Sequence, residues 1–160
     1  MTAQEYEVKA GLEKLDPFDI LGISAIIKDR DTASETINAL WQKFFEQSVG
    51  QMIENRVDDV IYAVYSDYEG DHTKPYRITI GYKVENTDQL SESFHHVQVK
   101  QANYAMMSAA GEQPKALLET WEAIWQSDLD RCFETDFEVY GRRFFEDGVH
   151  EVLVAIGVNL

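Results

Sequence analysis

Cysteine is almost absent: Cys132 is the sole thiol in 160 residues. No internal disulfide can form, and a reducing, cytoplasmic setting is expected. Basic residues are scarce, 14 against 29 acidic, for a formal net charge of −15. Such a surface repels phosphate backbones, and the one short basic pair, Arg142-Arg143, is too little for a nucleic-acid patch. No apolar run approaches the roughly 20 residues of a membrane span. The N-terminus lacks the basic and apolar regions of a secretory signal, so no membrane partner is expected. Phosphate-binding glycine loops, a Gly-x-Ser-x-Gly nucleophile turn and a His-Glu-x-x-His zinc helix are all missing, which counts against ordinary catalysis and cofactor use. His95 and His96 would point to opposite faces of a strand and cannot share one metal ion. They are expected at the surface. Asp67, Glu69, Asp71 and His72 fail the calcium-loop pattern and read as a solvated hairpin tip. No metal is expected.

What the chain does contain is an echo of itself. Leu40-Trp41-Gln42-Lys43-Phe44-Phe45 returns as Thr120-Trp121-Glu122-Ala123-Ile124-Trp125, half the chain away. Downstream of each copy, Tyr62-Ala63-Val64-Tyr65 is answered by Phe137-Glu138-Val139-Tyr140. The chain length suits a single core, read here as one domain, residues 1–160, of two units of about 1–88 and 89–160. The seam between such units is a common place for a ligand pocket.

Each unit reads as β-α-β-β, an α+β fold. A first strand lies over about Pro17 to Lys28. Thr32-Ala33-Ser34-Glu35 fits a capping box, followed by Ile37, Leu40, Trp41, Phe44 and Phe45 at helical spacing, with Gly50 ending the helix or its trailing turn. Asp59 to Tyr68 and Tyr76 to Val84 form a hairpin bounded by Pro75. In the second unit, Phe94 to Met107 predicts a strand bent near Gln101-Ala102-Asn103. Gly111 and Pro114 precede a helix with the stripe Leu117, Trp121, Ile124 and Trp125. Thr135 to Tyr140 and Val149 to Val158 supply two strands joined around Glu146-Asp147-Gly148.

Strand alternation puts Glu138 and Tyr140 on one face, and the repeat puts Tyr65 on the same face of the sister strand. A carboxylate lining the seam would sit among aromatic rings, at a cost that an organic cation would relieve. The alternatives are an exposed strand glutamate, or one paired to Arg131 or Arg142. Trp41, Trp121 and Trp125 fall at core-facing helical positions, where packing is the ordinary role. The tyrosines Tyr62, Tyr65, Tyr68, Tyr76, Tyr82, Tyr104 and Tyr140 suit a pocket wall and an edge strand equally well. Cys132 reads as a buried or half-buried structural thiol.

At several of these residues the chain resembles the gyrase-inhibitor-like effector-binding domains, notably the free-standing subgroup of integron cassettes. The matching stretches begin with Asp16-Pro17-Phe18-Asp19-Ile20-Leu21-Gly22-Ile23-Ser24 and Leu40-Trp41-Gln42-Lys43-Phe44-Phe45. They continue with Ile61-Tyr62-Ala63-Val64-Tyr65-Ser66-Asp67-Tyr68-Glu69, Trp121-Glu122-Ala123-Ile124-Trp125 and Asp136-Phe137-Glu138-Val139-Tyr140. The resemblance implies a tandem β-α-β-β fold, with a curved antiparallel sheet and two helices flanking a central groove. It implies lipophilic organic cations as ligands, with Glu138 as countercharge and Tyr65, Tyr140, Tyr104, Trp41, Trp125 and Phe45 as wall candidates. Relatives often carry a DNA-binding helix-turn-helix, for which no room is expected before the first strand here. A DNA-binding regulator would then be a separate partner. Two other roles follow from relatives: hydrolysis of cyclopropane-bearing genotoxins, with Glu138 as base and Tyr65 or Tyr104 orienting, and an acidic surface engaging DNA gyrase.

Overall fold

The computed structural model describes residues 11–70, 73–87, 94–113, 115–127, 129–141, 144–145 and 150–159. Eight strands form one antiparallel sheet: β1 (Leu12–Leu15), β2 (Phe18–Ile27), β3 (Arg56–Ser66), β4 (Tyr76–Val84), β5 (His95–Val99), β6 (Ala102–Ala109), β7 (Arg131–Tyr140) and β8 (Val152–Val158). Among the described residues three helices join them: α1 (Arg30–Glu46), the single turn α2 (Val49–Met52) and α3 (Lys115–Gln126). The strand order is β1-β6-β8-β7-β3-β4-β2-β5. Thus β2-β4-β3 and β6-β8-β7 are two triplets of like connectivity, joined where β3 meets β7. The tandem α+β architecture is the one expected.

The ladder fixes the curvature. Leu15 pairs with Ala102 and Phe18 pairs with Val99, so the β1–β6 and β2–β5 ladders keep one register. Only Asp16-Pro17 separates β1 from β2, and only Lys100-Gln101 separates β5 from β6. Strands at opposite ends of the order are therefore continuous in the chain, and the sheet must curl until its ends meet. Proline has no N–H for a ladder, which suits Pro17 to the break. The Tyr104 hydroxyl donates to the Lys100 carbonyl at 2.8 Å and holds the other side of this corner. At Gly22, opposite Gly81, a Cβ would lie 2.0 Å from the Ile80 carbonyl oxygen. Only glycine permits the two strands to approach so closely there.

Curling gives the sheet two unlike faces. On the inner one, Phe18 of β2 meets Phe137 of β7 at 5.5 Å between ring centroids. Those strands lie three ladders apart, roughly 14 Å in a flat sheet. Ile20, Val64, Val99, Tyr104 and Ala155 complete this cluster. The larger core joins the other face to the helices, with Leu40 and Phe44 of α1 and Trp121 and Ile124 of α3 packed over Ile78, Ile80, Val154 and Ile156.

Several boundaries differ from the sequence reading. The first helix is capped by Asp29, not Thr32: Asp29 Oδ1 accepts from the Thr32 backbone N–H and hydroxyl, each at 2.9 Å. Aspartate is the stronger cap, and its charge also suits the positive helix end. Gly50 lies within α2, after a left-handed Ser48. The expected Phe94–Met107 strand is two strands, because β5 bonds to β2 whereas β6 bonds to β1 and β8. The short β1 was not foreseen; four residues, mostly exposed and paired on one side, carry little periodic signal. Gln113 begins α3 by accepting from the Leu117 N–H at 3.1 Å. His95 and His96 are half-buried rather than at the surface, and His96 Nε2 lies 2.8 Å from Asp19 Oδ1. Asp71, His72, Pro114, Arg142-Arg143 and the turn at Glu146-Asp147-Gly148 lie outside the described residues.

Candidate functional site

The repeat seen in the sequence becomes a contact in space. Ala63 of β3 pairs directly with Glu138 of β7, at the centre of the sheet and on its helix-covered side. Two residues outward on either strand stand Tyr65 and Tyr140. Both aim their hydroxyls at the one carboxylate: Tyr140 donates to Oε1 at 2.6 Å and Tyr65 to Oε2 at 2.9 Å. Trp121 of α3 adds its indole N–H to Oε2 at 2.7 Å. Ala63 is fully buried and carries nothing polar, so the near-symmetric frame holds one charge.

Glu138 is 2 % exposed and, among the described residues, is paired to no guanidinium or ammonium. Of the two arginines the sequence offered for pairing it, Arg131 instead binds Asp136 at 2.8 Å, and Arg142 lies outside the described residues. Burial pushes the Glu138 carboxyl above its usual range, opposed by the hydrogen bonds from Tyr140, Trp121 and Tyr65. The same burial, with the Glu138 charge, raises Tyr65 and Tyr140 well above an ordinary phenol. The tyrosines therefore stay protonated donors. Three neutral donors leave part of the carboxylate's roughly four acceptor positions open, and among the described residues its charge has no counterion.

This carboxylate faces a cleft of about 480 Å³ between the helices, walled by Trp41, Phe45, Trp121, Tyr140, Phe144 and Phe145. Trp41 meets the Tyr140 ring edge-on at 4.9 Å and stacks with Phe45 at 5.9 Å and 22°. Phe45 is 57 % exposed and forms the rim. The cleft thus offers ring faces and one negative group.

Of the residues singled out in the sequence, Glu138, Tyr65, Tyr140, Trp41 and Phe45 converge here. Trp125 borders a neighbouring compartment of about 440 Å³ instead. Tyr104 must be set aside: one residue out of phase with the site, it points to the inner face against Phe137 at 5.3 Å. Trp121, assigned to packing, turns out to be a donor to the carboxylate. A signal existed, since a buried indole N–H needs an acceptor and Glu138 was the unpaired candidate. Among the described residues no cluster of His, Cys, Asp and Glu suits a metal ion, and no helix is long and apolar enough to cross a membrane. Cys132 is half-buried and free of disulfide.

A curled sheet, two flanking helices and an aromatic cleft with a buried acid define a small-molecule effector-binding domain. Residues 11–156 match the profile of the integron-associated effector binding proteins, and the chain belongs to that family. It is 31 % identical over 113 residues to the putative transcriptional regulator protein YobU of Bacillus subtilis (strain 168), spanning 68 % of this chain and 71 % of that one. The fold is shared with the Vibrio cholerae integron cassette protein VCH_CASS2, at 23 % identity and a TM-score of 0.73, over 93 % of this chain and 95 % of that one. It is shared also with SAV2435, solved bound to tetraphenylphosphonium, at 16 % identity and a TM-score of 0.75, over 93 % of each chain.

Proposed function

We propose that the protein binds amphipathic organic cations in the cleft over Glu138, as an effector-binding protein that acts alone or beside a transcription regulator. One observation carries this reading: a carboxylate 2 % exposed, held among the described residues by neutral donors only, faces an aromatic cavity. A cation there supplies the missing countercharge, and ring faces add about 0.5–2 kcal/mol each. The tetraphenylphosphonium seated in SAV2435, a protein of the same fold, supports the ligand class. The regulator named among the relatives supports the setting.

Calorimetry with tetraphenylphosphonium and the neutral triphenylphosphine oxide tests it. Glu138→Gln should weaken the cation by about 10- to 150-fold, the scale of a charged hydrogen-bonding group lost from a buried site. The oxide should bind both proteins alike. Equal losses for both probes would reduce Glu138 to packing and defeat the proposal.

A further inference from the structure

The cleft over Glu138 does not end at that acid. Ser34 and Ile37 of α1, Tyr65 of β3, and Leu118 and Trp121 of α3 line both it and the neighbouring compartment, so the two form one groove. Phe45 stands at one end and Arg30 at the other, a span of about 22 Å along α1 at the helical rise. The far compartment is ringed by aromatics. Trp125, Trp121, Tyr65, Tyr76 and Tyr68 follow one another with centroids 5.2–6.3 Å apart. Three of these rings have their polar ends committed elsewhere: Tyr65 and Trp121 donate to Glu138, and Tyr68 donates to Asp136. What they have left for a ligand is ring surface. The charges of this compartment cancel locally. Buried Arg131 binds buried Asp136 at 2.8 Å, and its Nε and Nη1 are closed off from the compartment. At the rim, Arg30 and Glu122 are both exposed and opposite in sign. Arg30 also lies 5.0 Å from the Trp125 ring centroid, the place where an incoming cation would gain most. Nothing in this lining matches the uncompensated acid at the other end.

We propose that the far compartment is a subsite for an uncharged aromatic arm, so that the groove selects elongated monocations charged at one end only. This selection rests on the reading that Glu138 takes the positive end. A neutral ring buries apolar surface among Tyr68, Tyr76 and Trp125 without giving up strong hydration. A second cationic group would lose its water and meet the Arg30 guanidinium, with no buried acid to offset the cost. The overall net charge of −15 pulls the other way and would by itself favour dications. Salt screens that diffuse field beyond about 8 Å, so the local lining decides.

Three triphenylphosphonium salts test the subsite by calorimetry: the methyl compound, the phenylbutyl compound, and the trimethylammoniobutyl compound, which is a dication. The phenylbutyl compound should bind about tenfold or more tighter than the methyl one, on the scale of one further buried ring. The dication should bind about tenfold or more weaker than the phenylbutyl compound. Ala33→Phe fills the far compartment from a half-buried position that does not line the Glu138 cleft, and should erase the phenylbutyl advantage. Arg30→Glu, an exposed change, should raise the dication relative to the phenylbutyl compound by about fivefold or more. It decides the matter should Ala33→Phe fail to fold. Glu138→Gln should weaken all three salts and leave the phenylbutyl advantage intact. Equal binding of the methyl and phenylbutyl compounds by the unaltered protein, or tightest binding of the dication, overturns the subsite. Should no salt bind, the Glu138 reading fails and 2-naphthol alone decides: binding that Ala33→Phe removes supports the subsite, and no binding at millimolar concentration overturns it.

Discussion

Ala63 and Glu138 face each other across the β3–β7 ladder, the two sequence-equivalent positions brought into register at the middle of the sheet. The flanking tyrosines are doubled and the acid is single. A frame that could have accepted two carboxylates carries one, and its pair of phenolic donors is spent on that one group.

Putting the second acid back should be ruinous. Ala63→Glu sets another carboxylate about 4.5–5.5 Å away, by Cβ separation, in a fully buried position. Like charges so close cannot both ionise. We expect a loss of about 3 kcal/mol or more, with Tm lower by about 6–12 °C on calorimetric melting. An unchanged Tm would mean that the position is open to water.

Cation affinity should depend on pH through Glu138. Its folded pKa is raised, and the cation binds the ionised form, so affinity is full above that pKa and falls as pH drops through it. Each binding event below the pKa should release a proton, seen as heats that vary with buffer ionisation enthalpy. Affinity flat from pH 5 to pH 8 with no proton release would contradict a desolvated acid.

The unliganded protein should show the reverse dependence. An acid whose pKa rises on folding binds more protons folded than unfolded, so stability falls as pH climbs from the unfolded glutamate value of about 4.3 and levels off above the folded one. Glu138→Gln lacks this penalty. Its Tm relative to the unaltered protein should therefore rise over that interval; a constant difference would remove the linkage.

Tyr65→Phe and Tyr140→Phe each delete one donor to the carboxylate. Each should move the midpoint of cation binding to higher pH, because losing a donor to the carboxylate disfavours the ionised form. Affinity well above that midpoint should change by less than about tenfold. A midpoint moved downward in titrations of either variant would show that the donors do not hold the charge.

Gly22→Ala should cost about 3 kcal/mol or more, since a Cβ there meets β4 backbone, 2.0 Å from the Ile80 carbonyl oxygen. Chemical denaturation would measure it, and a loss under 1 kcal/mol would mean the ladder can open at that point.

Much of this architecture was legible because period and repeat agree. β4 was read at its observed bounds and β2 within one residue at each end, and the apolar stripe of α3 faces the core as read. Where reading failed, the deciding partner lay far off in sequence. Nothing local tells that Val99 and Ala102 bond on to different regions of the sheet. Asp29 was passed over because Thr32-x-x-Glu35 mimics a capping box one turn later. In the site, alternation correctly grouped Glu138, Tyr65 and Tyr140. It could not phase Tyr104, whose strand follows that corner, nor show that Arg131 would choose Asp136.

The shared register of residues 12–15 with 102–105 and of 18–22 with 95–99 also bears on how the chain reaches this state. Segments far apart along the polymer must find each other before the curl can close, and the entropy of that search is lost before most contacts form. Folding should accordingly run on the slow, millisecond-to-second scale of β-rich topologies, and a fragment ending before β5 would be left with an unzipped flank.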